Sequence, residues 1–225
     1  MKIGKYVKLI KKKGCATWTN TNDGEVYLGT GASVYKAPGL PNVTETGTVM
    51  AVLDIDKKAA EKIFLKIGHT ADDRDVQGCD LSDYSGESEA TPMKIAAVKD
   101  DVIYSALRYG ANEVVFYDKE LLSPLSDKLN DKDESAYIRY FVNTRKKDGQ
   151  PYIVIKDGFQ TLAAIMPMTI LTDDYITELQ DFQLMCIDQL SRDKIRELER
   201  AKQKEAEDGK QETIDDLQDD ESSSE

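Results

Sequence analysis

The chain has 225 residues, a formal net charge of −12 and a hydrophobic fraction of 40%, and it includes eleven tyrosines and five phenylalanines. This composition supports a folded body of one large or two small domains. No run approaches the roughly 18 apolar residues of a membrane span, and the N-terminus lacks the apolar region and cleavage site of a signal peptide. Three scattered cysteines form neither a disulfide framework nor a metal-binding spacing. The sequence therefore predicts a cytoplasmic protein that is not associated with a membrane and binds no metal or cofactor.

The negative charge is concentrated at the C-terminal end. From Asp173 onward the sequence holds 18 acidic and 7 basic residues, which leaves 24 acidic (42 − 18) and 23 basic (30 − 7) residues for the rest of the chain. The body is therefore almost neutral, so the overall acidity does not exclude nucleic-acid binding by the body.

The first 40 residues are predicted to form a series of short strands. Alternation of apolar and polar residues favours a strand over residues 2–10. Asp23-Gly24 lies between two alternating stretches, which is a strong signal for a hairpin. A further short strand is predicted over residues 32–35, followed by a turn rich in proline and glycine.

A strand-to-helix pattern occurs twice, at residues 50–67 and again at residues 112–129. In the first copy a short apolar stretch runs into Asp56, a good N-cap, and an amphipathic helix is predicted to follow it. In the second copy, 62 positions later, Asp118 takes the place of Asp56. The fixed spacing predicts an internal duplication. The alternative is that two unrelated segments share a common strand-to-helix pattern.

The remainder of the body predicts a long polar loop and further strands. The loop covers residues 69–92 and has little apolar periodicity. Strand pairs are predicted at 93–98 with 102–107 and at 136–143 with 152–156, and a last strand at 161–168.

The C-terminal region predicts a long helix and a tail. The helix covers residues 172–206, and its first half carries an apolar stripe that should pack on another surface. The stripe consists of Tyr175, Leu179, Phe182, Cys186 and Leu190. Residues 207–225 hold nine acidic residues and one lysine, a composition typical of disorder.

The residues that catalysis or metal binding would need are not grouped in this sequence. His69, the one histidine, has no accompanying nucleophile motif. The loop that opens at Asp73 resembles a calcium loop only at its start, because Tyr84 stands where the bidentate glutamate is required. Gly29 and Gly31 lack the third glycine and the helix of a phosphate-binding loop. The sequence therefore predicts neither an enzyme nor a metal site.

Basic residues carry the functional prediction. Lys58, Lys62 and Lys66 recur every four residues in the first predicted helix, and Lys57 extends this stripe. Such a stripe would be about 12 Å long at 1.5 Å per residue, enough to contact several phosphates of duplex DNA. The alternative is an ordinary solvated helix face. Because no base-reading helix or stacking platform accompanies the lysines, contact with DNA would be independent of its sequence.

The repeated strand–helix pattern with basic helices resembles DNA sliding clamps, and Ala164-Ile165-Met166-Pro167-Met168 is similar to the Met-Pro-Met ending of the bacterial polymerase III beta clamp. This resemblance covers roughly residues 50–170. It implies helices that face DNA and an outer sheet of antiparallel strands. It also implies that Met166, Pro167 and Met168 help to form an apolar pocket for partner peptides.

We therefore expect an α+β body over residues 1–171, in which an antiparallel sheet of repeated β-α-β-β units carries two helices on one face. The long helix of residues 172–206 and the acidic tail of residues 207–225 follow it. The leading hypothesis is a non-enzymatic clamp-like protein that binds double-stranded DNA and replication or repair proteins. The alternative is an inhibitor or adaptor from a phage or other mobile element that acts through the C-terminal helix and tail. Both hypotheses allow a homo-oligomer.

Overall fold

The computed structural model describes residues 1–82, 86–111, 113–131 and 137–221, with side chains up to residue 204. The chain divides into two compact units, Met1–Thr169 and Ile170–Glu225. The first unit is α+β and the second contains a long helix, in agreement with the predicted fold class at this level.

The first unit contains one long helix and several short ones. The α-helices are α1 (Ile3–Lys13), α2 (Thr46–Val52), α3 (Lys57–Ala60) and α4 (Ser126–Asn130). A 3-10 helix, Lys119–Leu125, leads directly into α4. We call the two together the helical segment 119–130.

Ten strands form one sheet within the described part of the first unit. They are β1 (Cys15–Thr21), β2 (Val26–Thr30), β3 (Ser33–Lys36), β4 (Phe64–Thr70), β5 (Ser88–Lys99), β6 (Val102–Tyr109), β7 (Glu113–Asp118), β8 (Ile138–Thr144), β9 (Pro151–Asp157) and β10 (Gln160–Ile165). Their order is β4-β1-β2-β3-β10-β9-β8-β5-β6-β7. Strands β1 and β4 run parallel, and the other neighbours in the sheet run antiparallel.

A helix followed by three antiparallel strands occurs twice in this unit. The first copy is α1-β1-β2-β3, and the second is the helical segment 119–130 followed by β8, β9 and β10. The third strands of the two copies pair with each other, with Val34 opposite Ala164 and Tyr35 opposite Ala163. The order of these six strands is consequently symmetric about the β3–β10 pair, whereas β4 on one side and β5, β6 and β7 on the other differ in number.

The two faces of the sheet are covered differently. On one face, α1, α2 and the helical segment 119–130 pack on a large apolar core that includes the fully buried Trp18 and Tyr6. On the other face, Val76, Cys79 and Leu81 pack on a smaller core. We call these the helix face and the outer face. The burial of both faces explains why β2 and β9 are apolar almost throughout.

The N-terminal segment is helix α1, so the strand predicted over residues 2–10 is wrong. Ile3, Tyr6 and Ile10 recur at helical spacing and turn inward. Gly14 ends the helix in a left-handed conformation (φ 69°), and its N–H donates to the Ile10 carbonyl at 2.8 Å. Three lysines in the last turn suit the negative end of the helix dipole.

The first of the two predicted strand–helix units is also wrong. Val52 belongs to α2, and the helix that begins after Asp56 ends at Ala60. The chain then turns into β4, in which Leu65 and Ile67 pack on the helix-face core while Lys66 between them points away. Apolar residues in this segment fit both a helical and a two-residue period, and pairing with β1 selects the strand.

The second predicted unit is confirmed, because β7 ends at Asp118 and the helical segment 119–130 follows it. The hairpin at Asp23-Gly24 is confirmed as β1–β2. The two predicted strand pairs and the last strand correspond to β5–β6, β8–β9 and β10.

The second unit contains α5 (Asp173–Glu221). Its start agrees with the predicted start at residue 172. The backbone remains helical to Glu221, past the predicted end at residue 206. The side chains of the predicted acidic tail and its last four residues lie outside the described part of the chain.

Candidate nucleic-acid and partner-binding surfaces

Helix α1 and the helical segment 119–130 lie side by side and are joined by ion pairs. Lys12 Nζ lies 2.8 Å from a carboxylate oxygen of Glu120, and Lys13 Nζ lies 2.6 Å from Asp118 Oδ2. Lys2 and Lys5 both pair with Asp127. These contacts neutralise part of the positive charge of α1 and hold the two helices together.

The solvent side of α1 retains positive charge. Lys8 points away from the apolar side of the helix and is exposed, and it has no ion-pair partner within the described part of the chain. Lys12, four residues later, is 65% exposed although it is paired. The strand predicted over this segment did not single out Lys8 among the basic residues.

Two of the four predicted lysines lie close to α1. An open cavity of about 260 Å³ is lined by Lys11, Asp56, Lys58 and Lys62. Asp56 caps α3 by accepting the Ala59 N–H at 2.9 Å, and it also lies 3.9 Å from Lys11 Nζ. The short helix thus places Lys58 and Lys62 beside the C-terminal end of α1. Lys57, the first residue of α3, is exposed as well.

Lys66 is separated from this group. It lies on β4 between Leu65 and Ile67, whose side chains pack on the helix-face core. Because successive side chains of a strand point to opposite sides, Lys66 projects from the outer face. The four lysines predicted as a single helical stripe are therefore not one surface.

The Met-Pro-Met segment borders the sheet and one small cavity. The Met166 N–H donates to Ala32 at 2.9 Å, and the Met168 N–H donates to Phe116 of β7 at 2.7 Å. Met168 is 46% exposed. It lines a cavity of about 200 Å³ with Tyr104, Leu121, Cys15 and the Lys13–Asp118 pair. Met166 and Pro167 are half-buried and do not line this cavity.

The outer face carries a second group of basic residues that sequence analysis did not single out. An open cavity of about 610 Å³ is lined by residues that include Arg74, Arg145, Lys146 and Lys147. Arg145 pairs with Asp148 at 2.5 Å, and Lys146 lies 3.4 Å from Asp80. Arg74 is distant in sequence from the consecutive residues Arg145, Lys146 and Lys147, and the packing of residues 76–81 on the sheet brings it close to them.

The polar residues considered for catalysis or metal binding have structural roles or stand alone. His69 is exposed on β4. In the loop after β4, Asp72 accepts the Arg74 N–H at 2.9 Å and Asp75 accepts the Gly78 N–H at 3.1 Å. Among the described residues, no group of three or more histidine, cysteine or acidic side chains is placed to hold a metal ion.

Comparison of the chain with protein-family models, with curated proteins and with solved structures yields no match. Within the described residues, no helix is long and apolar enough to cross a membrane.

Proposed function

We propose that this protein is a non-enzymatic, clamp-like protein of DNA replication or repair that contacts duplex DNA through its helix face. The contact surface consists of Lys8, Lys11, Lys12, Lys58 and Lys62, which we call the helix-face lysines. Relative to the sequence-based hypothesis, Lys8, Lys11 and Lys12 are added, Lys57 is peripheral, and Lys66 is left out.

The observation that carries this proposal is the pair of helix–three-strand units. Their third strands, β3 and β10, pair with each other within a continuous sheet, and their helices lie side by side on one face. This arrangement supports the resemblance to sliding clamps, in which helices face DNA and strands form the outer layer. In this proposal the helices of the repeat are α1 and the helical segment 119–130.

The charge distribution supports a loose, phosphate-directed contact. Lys11 and Lys12 are partly neutralised by Asp56 and Glu120. The other helix-face lysines have no ion-pair partner within the described residues and remain available to phosphates. Binding of lysines to phosphates releases counterions from the DNA, so the affinity should fall as the salt concentration rises. Because phosphate contacts carry no sequence information, the affinity should depend little on base sequence.

The test compares two variants with equal changes in charge. Lys58→Glu/Lys62→Glu alters the helix face, whereas Lys66→Glu/Lys147→Glu alters the outer face. We expect the first variant to reduce the slope of log affinity against log salt concentration by about 2, as for the loss of two phosphate contacts. The second variant should bind a mixed-sequence duplex as the unchanged protein does. Equal effects of both variants would contradict the assignment of the helix face.

A protein that encircles DNA should differ from one that binds it only electrostatically in how long it stays on circular DNA. Protein that encircles DNA should remain on closed circular duplex after a salt wash and should leave when the circle is cut. Equal retention on circular and linear DNA would leave DNA binding in place but contradict the clamp-like mode.

The cavity beside Met168 is proposed as the site for a partner peptide. Its volume of about 200 Å³ is below the 300–1,000 Å³ of typical small-molecule pockets, and it suits a single apolar side chain of a peptide. Met168→Asp should abolish binding of replication or repair partners without changing DNA binding. Phe159→Asp, at an 89% exposed position away from the cavity, is the matched control.

The second candidate function is an adaptor that acts through α5, and it is favoured by the exposed apolar side chains of that helix. Deleting residues 173–225 separates the two candidates. A clamp-like protein should still bind DNA through the helix-face lysines, whereas an adaptor should lose partner capture.

A further inference from the structure

Helix α5 exposes an apolar stripe whose sequence pattern is symmetric about Ile187. Leu184 and Leu190 lie three residues from Ile187 on either side, and Leu179 and Ile195 lie eight residues from it. Ile176 and Leu198 complete the pattern at eleven residues on either side. Successive residues of an α-helix are rotated by about 100° around its axis, so all seven side chains project within about 80° of the direction of Ile187. Each is 40–66% exposed.

We propose that α5 pairs with α5 of a second copy in antiparallel orientation, with the two-fold axis at Ile187. In such an isologous contact, residue i of one copy meets residue j of the other, and j meets i. A palindromic apolar pattern is what this symmetry requires, because every apolar position then faces an apolar position. The proposal is independent of DNA binding by the first unit.

The layers of this pair are complementary in shape as well as in polarity. Leu184 lies towards one edge of the stripe and Leu190 towards the other, at about 60° on opposite sides of Ile187. Leu179 and Ile195 are related in the same way. At each level of the pair, a side chain from one edge of the stripe lies beside the side chain from the opposite edge of the other copy's stripe. This offset allows the side chains to interdigitate as knobs in holes.

Polar positions within the stripe follow the same symmetry. Gln183 would face Ser191, and Gln180 would face Lys194, since these pairs also lie at equal distances from Ile187. Side chains of these types can hydrogen-bond across a helix pair. Polar layers of this kind lower stability and specify the register.

The charges along α5 favour the antiparallel orientation and a second copy as the partner. Residues 173–186 contain four acidic and no basic residues, whereas residues 188–204 contain six basic and four acidic residues. Parallel helices would place the acidic halves side by side, where they repel. Antiparallel helices place each acidic half beside the half that holds the lysines and arginines.

Not every apolar side chain of α5 fits the palindrome, since Tyr175 and Cys186 would have Glu199 and Asp188 at their equivalent positions. Phe182 and Met185, 63% and 67% exposed, would have Arg192 and Gln189 at their equivalent positions. At about 100° per residue, Met185 and Phe182 point about 160° and 140° away from the direction of Ile187, so both lie on the far side of α5 from the proposed contact.

Single cysteines test both the contact and its direction. In the full chain with Cys15→Ser and Cys186→Ser, Ile187→Cys should form a covalent dimer under a mild oxidant, because the two copies of this residue meet at the axis. Ile176→Cys alone should not, because its two copies would lie roughly 33 Å apart along the helices. Mixing Ile176→Cys protein with Leu198→Cys protein should restore the covalent dimer.

Mass in solution provides the second measurement. The unmodified chain should sediment as a dimer of twice 25.2 kDa, and Ile187→Lys should shift it to the monomer, with unchanged circular dichroism. A monomeric unmodified chain at high micromolar concentration would overturn the proposal. So would a dimer that survives Ile187→Lys, or crosslinking of Ile176→Cys to itself, which would indicate parallel helices.

Discussion

Lys13, the last residue of α1, forms an ion pair with Asp118, the residue that caps the helical segment 119–130. The Nζ–Oδ2 distance is 2.6 Å, and the side chain of Asp118 is only 8% exposed. The other carboxylate oxygen of Asp118 accepts the Glu120 N–H at 2.8 Å. One carboxylate thus starts the second helical segment and ties it to the first helix.

Asp118→Ala should therefore destabilise the first unit more than an ordinary surface substitution. It removes a helix cap, worth about 1 kcal/mol, and leaves the ammonium of a half-buried lysine unpaired. We expect the free energy of unfolding, measured by urea titration, to fall by about 2–3 kcal/mol. Asp118→Asn should lose less, because the amide oxygen can still cap. Glu120→Ala, which removes only an exposed pair, is the control and should cost about 1 kcal/mol or less.

Gly29 should not tolerate a side chain. A Cβ atom at this position would lie 2.5 Å from Thr17 Oγ1 and 2.7 Å from both Gln77 Nε2 and the Ser33 carbonyl oxygen. Because the Ser33 contact is backbone of the paired strand, Gly29→Ala must shift the sheet. We expect a loss of about 1–3 kcal/mol in thermal or urea unfolding. Gly31→Ala, whose nearest contact would be Cys15 Sγ at 3.7 Å, should be close to neutral, and an equal loss in both variants would contradict this explanation.

Glu87 and Lys156 form an ion pair inside the protein. Their side chains are 3% and 5% exposed, and the Nζ–Oε2 distance is 2.6 Å. The ammonium also lies 5.2 Å from the centre of the Phe141 ring. Removing one partner of a buried pair leaves the other charge uncompensated, so Glu87→Leu should cost about 3–5 kcal/mol in urea unfolding. The double variant Glu87→Leu/Lys156→Met should be more stable than Glu87→Leu, and a double variant of lower stability would contradict the prediction.

Stability should decline in alkaline solution. Burial raises the pKa of the Cys79 thiol from 9.0 to about 12 and the pKa of Tyr140 from 10.0 to about 12, and it also raises the pKa of Tyr6 and Tyr35. Above about pH 9 the unfolded chain loses these protons first, so it binds fewer protons than the folded chain and stability falls as pH rises.

The free energy of unfolding, measured at pH values from 8 to 12, should be constant up to about pH 9 and then decrease towards pH 12, because the ionised groups favour the unfolded chain. Tyr140→Phe removes one such group and should make the decrease shallower. Tyr137→Phe, at an exposed position, should leave the profile unchanged. A flat profile in this window would contradict the proposed role of burial.

The predicted internal repeat was assigned to two segments that do not form matching elements. The sequence pattern favoured residues 50–67 and 112–129, of which only the second is a strand followed by a helical segment. A better signal was present in the hairpins. Asn20-Thr21 is followed by Asp23-Gly24 and Tyr27, and Asn143-Thr144 is followed by Asp148-Gly149 and Tyr152. Both glycines have positive φ, and both tyrosines are buried on the outer face.

The sequence by itself determined the local features that depend on neighbouring residues. These are the antiparallel hairpins, whose turns are specified by Asp-Gly pairs, the confirmed strand-to-helix step at Asp118, and the start of α5 near Thr172. In each case the backbone conformation follows from a few adjacent side chains and their hydrogen bonds.

The tertiary structure decided everything that depends on a partner distant in the chain. Residues 2–10 alternate well enough for a strand, yet they form a helix because their apolar side can pack on the sheet and Lys2 and Lys5 can pair with Asp127. Residues 64–70 became a strand because β1 supplied the backbone partners. That pairing turned Lys66 to the outer face and left Lys58 and Lys62 beside α1, since hydrogen bonding to a distant strand fixes which way each side chain points.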